Sequence, residues 1–163
     1  MWMPANACGG NVGPPASPII TSLKTEPMET KDAKSRSPFQ ALVGYEHVGR
    51  HENGVVLELM VGEQHLGSRN RIHGGAVATL LDAAAGNAFF DLIEDVERTV
   101  TIELSVRYLD TISEGLITAV SRIDFAGKTI GHASVNLYKG PEGGKLMATA
   151  NGVFRLYRKS HAV

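Results

Sequence analysis

The chain has 163 residues, with 16 Lys plus Arg against 17 Asp plus Glu and a net charge of −1. That is the size of one ordinary domain, and it excludes the strongly basic surface that nucleic acid or an anionic membrane selects. Cys8 is the only cysteine, which excludes an intrachain disulfide and a Cys-based zinc cluster.

Six of the seven prolines fall in the first 38 residues, where the apolar positions follow neither period 2 nor period 3.6. Residues 1–37 are therefore expected to form a Pro-rich disordered tail, and Met28 offers a second possible start. The segment shows no basic stretch followed by a long apolar run, so no secretory signal is expected. No uninterrupted apolar stretch reaches the ~18 residues of a membrane span. A cytoplasmic protein with no membrane or nucleic-acid partner is expected.

A single domain is read over residues 38–158, with a short tail at 159–163. Ser37-Pro38 before Phe39-Gln40-Ala41-Leu42-Val43 gives a cap and a proline at the first helical position, hence a short helix. Val55–Val61 is β-branched and apolar and follows the turn signal Glu52-Asn53-Gly54. The run from about Gly74 to Leu92 is apolar or small on every side, which predicts a long buried helix. Thr99–Leu109 then alternates, with Val100, Ile102, Leu104, Val106 and Tyr108 on one face and Thr99, Thr101, Glu103, Ser105 and Arg107 on the other. Leu116–Phe125, Lys128–Tyr138 and Leu146–Leu156 continue the series, joined by turns at Ala126-Gly127 and Gly140–Gly144. One strand, one long helix and four consecutive antiparallel strands predict an α+β fold. In it a sheet curls around the helix and a second copy covers the remainder.

The long helix begins His73-Gly74-Gly75 and carries Asp82 nine residues after the histidine, in an otherwise uncharged stretch. A carboxylate there is costly unless compensated, and it lies too deep to be an N-cap. Alone, Asp82 fits a structural aspartate paired with a tyrosine or arginine, and His-Gly-Gly fits a turn. Together they fit chemistry: the glycines leave backbone N–H groups uncovered to stabilise an oxyanion, and the aspartate can activate water. Gly74 and Asp82 are eight residues apart, roughly 12 Å along a helix axis, so one helix cannot bring both to one carbonyl. Two helices antiparallel across a two-fold axis can, which predicts a dimer with two shared sites.

Asn70-x-x-His73-Gly74-Gly75-x6-Asp82, Val100–Leu109, Gly127-Lys128-Thr129 and Gly144-Lys145-Leu146-x-Ala148 together resemble the hotdog-fold acyl-CoA thioesterases, in particular the PaaI-like branch. The similarity runs from about Phe39 to Leu156. The resemblance implies an acyl-CoA hydrolase acting as a homodimer or a dimer of dimers (homotetramer), with neither metal nor organic cofactor. It implies that the Gly74 N–H polarises the thioester carbonyl, that His73 orients the oxyanion loop or contacts the thioester, and that Asp82 is general base or nucleophile. It further implies that Thr101 positions water and that Gly75, Tyr108, Gly127, Lys128, Thr129 and Arg155 contact coenzyme A. Many members carry an asparagine six residues before the histidine, where this chain has Gly67. Asn70 sits where a glycine is common, so it can be a catalytic amide or a replacement for that glycine in the left-handed region.

Leu80, Leu81, Phe89 and Phe90 are expected to line the acyl pocket. His47, His51, His65 and His132 have no metal-ligand spacing. The alternative function is a hotdog protein that binds acyl-CoA without cleaving it. A hotdog dehydratase would need a histidine paired with an acid on separate segments, and no such pattern is read.

Overall fold

The computed structural model describes residues 37–159. The tails expected over 1–37 and 159–163 lie, apart from Ser37 and Lys159, outside the described residues. Helix α1 spans Pro38–Val43, capped by Ser37, whose Oγ accepts the Gln40 N–H at 3.1 Å. Strands β1 (Glu46–His51) and β2 (Gly54–Val61) follow, then a 3-10 turn at Glu63–His65 and helix α2 (Gly74–Leu92). Strands β3 (Val96–Tyr108), β4 (Gly115–Ala126), β5 (Ile130–Lys139) and β6 (Lys145–Arg158) complete the chain.

The strands form one sheet in the order β1-β2-β4-β5-β6-β3, antiparallel throughout, with β1 and β3 at its edges. Helix α2 packs on the inner face against β2 to β6. This is the hotdog arrangement, an α+β fold with the sheet wrapped around one long helix.

Two elements differ from the sequence expectation. Strand β1 is not marked in the sequence, because Glu46-His47-Val48-Gly49-Arg50-His51 holds one large apolar residue and a bulge between His47 and Gly49. An edge strand paired only to β2 needs no apolar alternation to be held. In β3 the expected alternation is broken: Thr101 pairs with Phe154 and Glu103 with Val153, so Ile102 is the extra residue of a bulge. Val100 and Ile102 therefore do not share the inner face with Leu104 and Val106. They are 45 % and 58 % exposed along the open edge.

The helix is less enclosed than its composition suggests. Val77, Leu80, Leu81, Ala84, Ala85 and Phe89 are buried against the sheet, whereas Gly74, Gly75 and Phe90 are exposed and Thr79, Asp82, Ala83 and Asn87 are partly open. Phe89 and Phe154 stack at 5.6 Å between ring centroids, tilted by 48°. Glycines make room for them: a Cβ at Gly131 would lie 2.5 Å from Phe89, and one at Gly152 would lie 2.5 Å from Phe154. Leu80, Leu81 and Phe89 are each 0 % exposed, so these three core residues do not line an acyl pocket. Of the four expected, Phe90 faces outward.

Candidate active site

The loop before α2 is built to present the helix N-terminus. Leu66 bridges to Ile72, Gly67 N–H donates to the Arg71 carbonyl at 2.8 Å, and Asn70 N–H donates to the Gly67 carbonyl at 3.1 Å. Asn70 turns this loop with φ at 54°, in the left-handed region that asparagine tolerates better than most residues. His65 anchors the loop from below. Its Nδ1 accepts the Gly62 N–H at 2.9 Å, which makes Nε2 the protonated nitrogen, and Nε2 donates to the Val43 carbonyl at 2.7 Å. The His65 carbonyl in turn accepts the His73 N–H at 2.8 Å.

His73 is the N-cap of α2, and its Nδ1 accepts the Gly75 N–H at 2.9 Å. A Cβ at Gly75 would stand 2.9 Å from that nitrogen, so the cap requires glycine there. The Ala76 and Val77 N–H groups donate to the His73 carbonyl at 3.0 and 3.3 Å. Among the described residues this leaves the Gly74 N–H as the first-turn donor without a partner, at the positive end of the helix dipole. The Gly74 carbonyl accepts from the Tyr108 hydroxyl at 3.2 Å.

Asp82, two turns further on, accepts a 2.8 Å hydrogen bond from Thr101 Oγ1 on β3. Burial pushes its carboxyl up from the ordinary 3.8, and the Thr101 hydrogen bond opposes that rise in part. Tyr45, just before β1, has its phenol raised by burial and by the charge of Asp82. Among the described residues no cation forms an ion pair with Asp82. It is a partly buried acid with a hydroxyl beside it.

The residues named from the sequence fall into separate groups within one chain. Asn70, His73, Gly74, Gly75 and Tyr108 gather at the start of α2, and Asp82 with Thr101 forms the middle. Gly127, Lys128, Thr129 and Arg155 lie at the far end of the sheet. Tyr108 pairs with Ala148 of β6, whereas Arg155 pairs with Val100 and Ile130. The seven residues from Ala148 to Arg155 separate the two ends by roughly 23 Å. Lys128, Thr129 and Arg155 are exposed. Gly74 and Asp82 also remain two helical turns apart, so no single chain assembles the whole set.

Other residues gain a place only in three dimensions. Arg158 donates from Nη2 to the Gly127 carbonyl at 2.7 Å and from Nε to the Lys128 carbonyl at 2.9 Å, and it pairs with Asp95. A histidine–acid pair does exist on separate segments, contrary to the sequence expectation. His47 Nδ1 lies 3.3 Å from Asp91 Oδ2, while His47 Nε2 lies 3.0 Å from the Gly49 carbonyl. Asp91 Oδ2 is buried without a hydrogen-bond partner, and burial raises its pKa against the charges of His47 and Arg50. This pair stands nine residues along α2 from Asp82. None of these contacts leaves a sequence signature.

The profile of the thioesterase superfamily matches residues 70–145, from the loop asparagine to the start of β6. A protein of Thermoplasma volcanium named as a candidate esterase is 30 % identical over 87 residues, which is 53 % of this chain and 63 % of that relative. The chain thus spans less than two thirds of that relative's length. Zebrafish thioesterase superfamily member 2 aligns with a TM-score of 0.66 at 26 % identity, covering 77 % of this chain and 90 % of that one. The PaaI protein of the E. coli phenylacetic acid degradation operon aligns with a TM-score of 0.65 at 20 % identity, covering 73 % and 83 % respectively. The segment from the loop through α2 to the start of β6 is thus similar to the thioesterase superfamily, and the hotdog fold around it is like that of the aligned structures.

Proposed function

We propose that the protein is an acyl-CoA thioesterase whose active site is shared by two copies of the chain. The observation that carries this reading is the pair of unmet groups on the open side of α2. One is the Gly74 N–H without an acceptor, and the other is the Asp82 carboxylate without a cation. Both border the exposed edge strand β3. A two-fold axis beside that edge would run the helices antiparallel and bring Gly74 of one copy opposite Asp82 of the other. The same operation would carry the Gly127–Thr129 turn and Arg155 of one copy towards Tyr108 of its partner. All the named groups then serve one substrate.

In this mechanism the thioester oxygen lies against the Gly74 N–H, which Asn70, His73 and Gly75 hold in place through the loop and the cap. Asp82 takes a proton from a water that Thr101 helps to orient, and the water oxygen bonds to the carbonyl carbon. Charge grows on the carbonyl oxygen, where a preorganised N–H stabilises it more than it stabilises the ground state. The C–S bond then breaks, and the CoA thiolate takes the proton from Asp82. Asp82 can instead attack the carbonyl carbon directly, so that the C–S bond breaks, CoA leaves as the thiolate and takes a proton from solvent, and water then opens the resulting anhydride. Single-turnover hydrolysis in 18O-labelled water separates the routes: direct attack by water puts one 18O into the first acid released, whereas an anhydride opened by water at the Asp82 carboxyl carbon releases that acid without label and leaves the 18O on Asp82. CoA contacts are assigned to Gly75, Tyr108, Gly127, Lys128, Thr129 and Arg155. The acyl group lies against the open side of α2 near Phe90, because the space beneath the helix is filled.

Neither metal nor organic cofactor enters this chemistry. The single cysteine fits a cytoplasmic setting, and among the described residues no helix is long and apolar enough to cross a membrane. The test is thiol release from a panel of short, aryl and long-chain acyl-CoAs, with Asp82→Asn as control. Turnover by the wild type and none by the variant supports the reading. Stabilisation by CoA without any thiol release replaces it with a binding protein.

A further inference from the structure

The hairpin turn between β4 and β5 is held from behind. Arg158, the last residue of β6, sends Nη2 to the Gly127 carbonyl at 2.7 Å and Nε to the Lys128 carbonyl at 2.9 Å. Its remaining nitrogen pairs with Asp95, in the link between α2 and β3, whose carbonyl accepts the Lys159 N–H at 2.8 Å. Leu156 N–H donates to the Thr129 carbonyl at 2.9 Å. Three consecutive carbonyls, those of Gly127, Lys128 and Thr129, are thus drawn to β6. Among the described residues no peptide bond is cis, and in a planar trans peptide the N–H points opposite to its carbonyl. The N–H groups of Lys128 and Thr129 therefore turn away from Arg158, side by side towards solvent. Among the described residues neither has a backbone acceptor. Two adjacent outward N–H groups beside a lysine ammonium make a concavity suited to phosphate oxygens.

We propose that Arg158 is a positioning residue that sets the Gly127–Thr129 turn as a phosphate cradle for CoA, with Asp95 holding the guanidinium in register. This rests on the acyl-CoA reading and deepens it. Arg158 touches no substrate. Its planar fork matches two carbonyls and a carboxylate at once, which a lysine cannot do.

The test is calorimetric titration of the full-length protein with CoA, dephospho-CoA and pantetheine, alongside KM and kcat for an acyl-CoA and its acyl-pantetheine counterpart. Arg158→Gln is expected to weaken CoA binding and raise the acyl-CoA KM about tenfold, with kcat and both pantetheine measurements unchanged. If dephospho-CoA loses as much as CoA between wild type and variant, the cradle holds the diphosphate. If only CoA is affected, it holds the 3′-phosphate. Unchanged CoA binding in Arg158→Gln overturns the proposal, and so does an equal loss for CoA and pantetheine. Should Arg158→Gln fail to fold, Asp95→Asn carries the test: about a threefold loss for CoA alone is expected, and no loss overturns it. Wild-type protein that binds CoA better than pantetheine but cleaves no thioester would remove the thioesterase reading and leave the cradle standing. Wild-type protein that cleaves thioesters but binds both alike would do the reverse.

Discussion

Thr101 and Tyr108 stand seven residues apart on one strand, yet both reach α2, Thr101 at the Asp82 carboxylate and Tyr108 at the Gly74 carbonyl. Unbroken alternation would send them to opposite faces of the sheet. The bulge at Ile102 resets the parity, so β3 grips the helix at its start and again two turns later. Its hydroxyl contact makes Thr101 a control on the acidity of Asp82. Burial raises that acid and the hydrogen bond lowers it, so removing the bond raises it further. With the ionised form as the proposed base, activity should fall as pH drops through a value above the ordinary 3.8. In Thr101→Val that fall should begin at higher pH, as read from kcat/KM against pH. A limb that stays in place would show that Thr101 does not act on Asp82.

Gly74 and Asp82 offer a direct test of sharing between copies. A Cβ at Gly74 would meet Tyr108 at an ordinary 3.6 Å, and proline is tolerated at the first helical position, where it simply lacks the N–H. Gly74→Pro and Asp82→Asn should each lower kcat by about a thousandfold with the dimer intact by light scattering. Co-refolded in equal amounts, the two variants should recover about a quarter of wild-type activity, because half of the dimers then hold one intact site. No recovery would mean that both groups act within one chain.

His47 should matter for stability rather than turnover. His47→Ala strands the Asp91 carboxylate in a buried position, where its Oδ2 already lacks a hydrogen bond. A loss of about 1–3 kcal/mol is expected from urea unfolding at neutral pH. Burial places the folded pKa of Asp91 above its unfolded value, so the cost of the charge is absent at low pH and appears as pH rises through the folded value. The loss in His47→Ala should therefore shrink as pH is lowered towards the folded value, and Asp91→Asn should relieve it. A loss independent of pH would trace the effect to packing alone.

Gly131 gives a packing test away from the chemistry. The Cβ of Gly131→Ala would press on Phe89 at 2.5 Å. Phe89 is fully buried against Phe154 and cannot swing aside. A loss of about 1–3 kcal/mol is expected, measured by thermal or urea unfolding. A neutral variant would mean that the ring has room not visible in the contacts.

The sheet, the long helix and the hairpin strands were legible because their apolar patterns are strong and their turns carry glycine. The N-terminal His-Gly-Gly and the lone Asp82 were legible because charge and glycine are conspicuous in an apolar helix. Strand β1 was hidden, since an edge strand of charged and histidine residues has no pattern to read. The bulge at Ile102 was hidden too, because an extra residue in a β-branched run leaves the composition unchanged. His65, Arg158 and the His47–Asp91 pair are joined across long sequence separations, which periodicity cannot reach. Leu80, Leu81 and Phe89 were misassigned to a pocket because apolar residues read alike in a core and in a ligand site.

The thirteen residues of β3 are bonded to a neighbour on one side only, and their outer row includes Val100 and Ile102. Such a row of unmet backbone groups is a ready template for strand addition by other chains. In the proposed dimer, a protomer parted from its mate would be exposed to fibrous aggregation, and the melting temperature should climb with protein concentration. Fidelity of assembly and colloidal solubility would then hang on the same stretch of backbone.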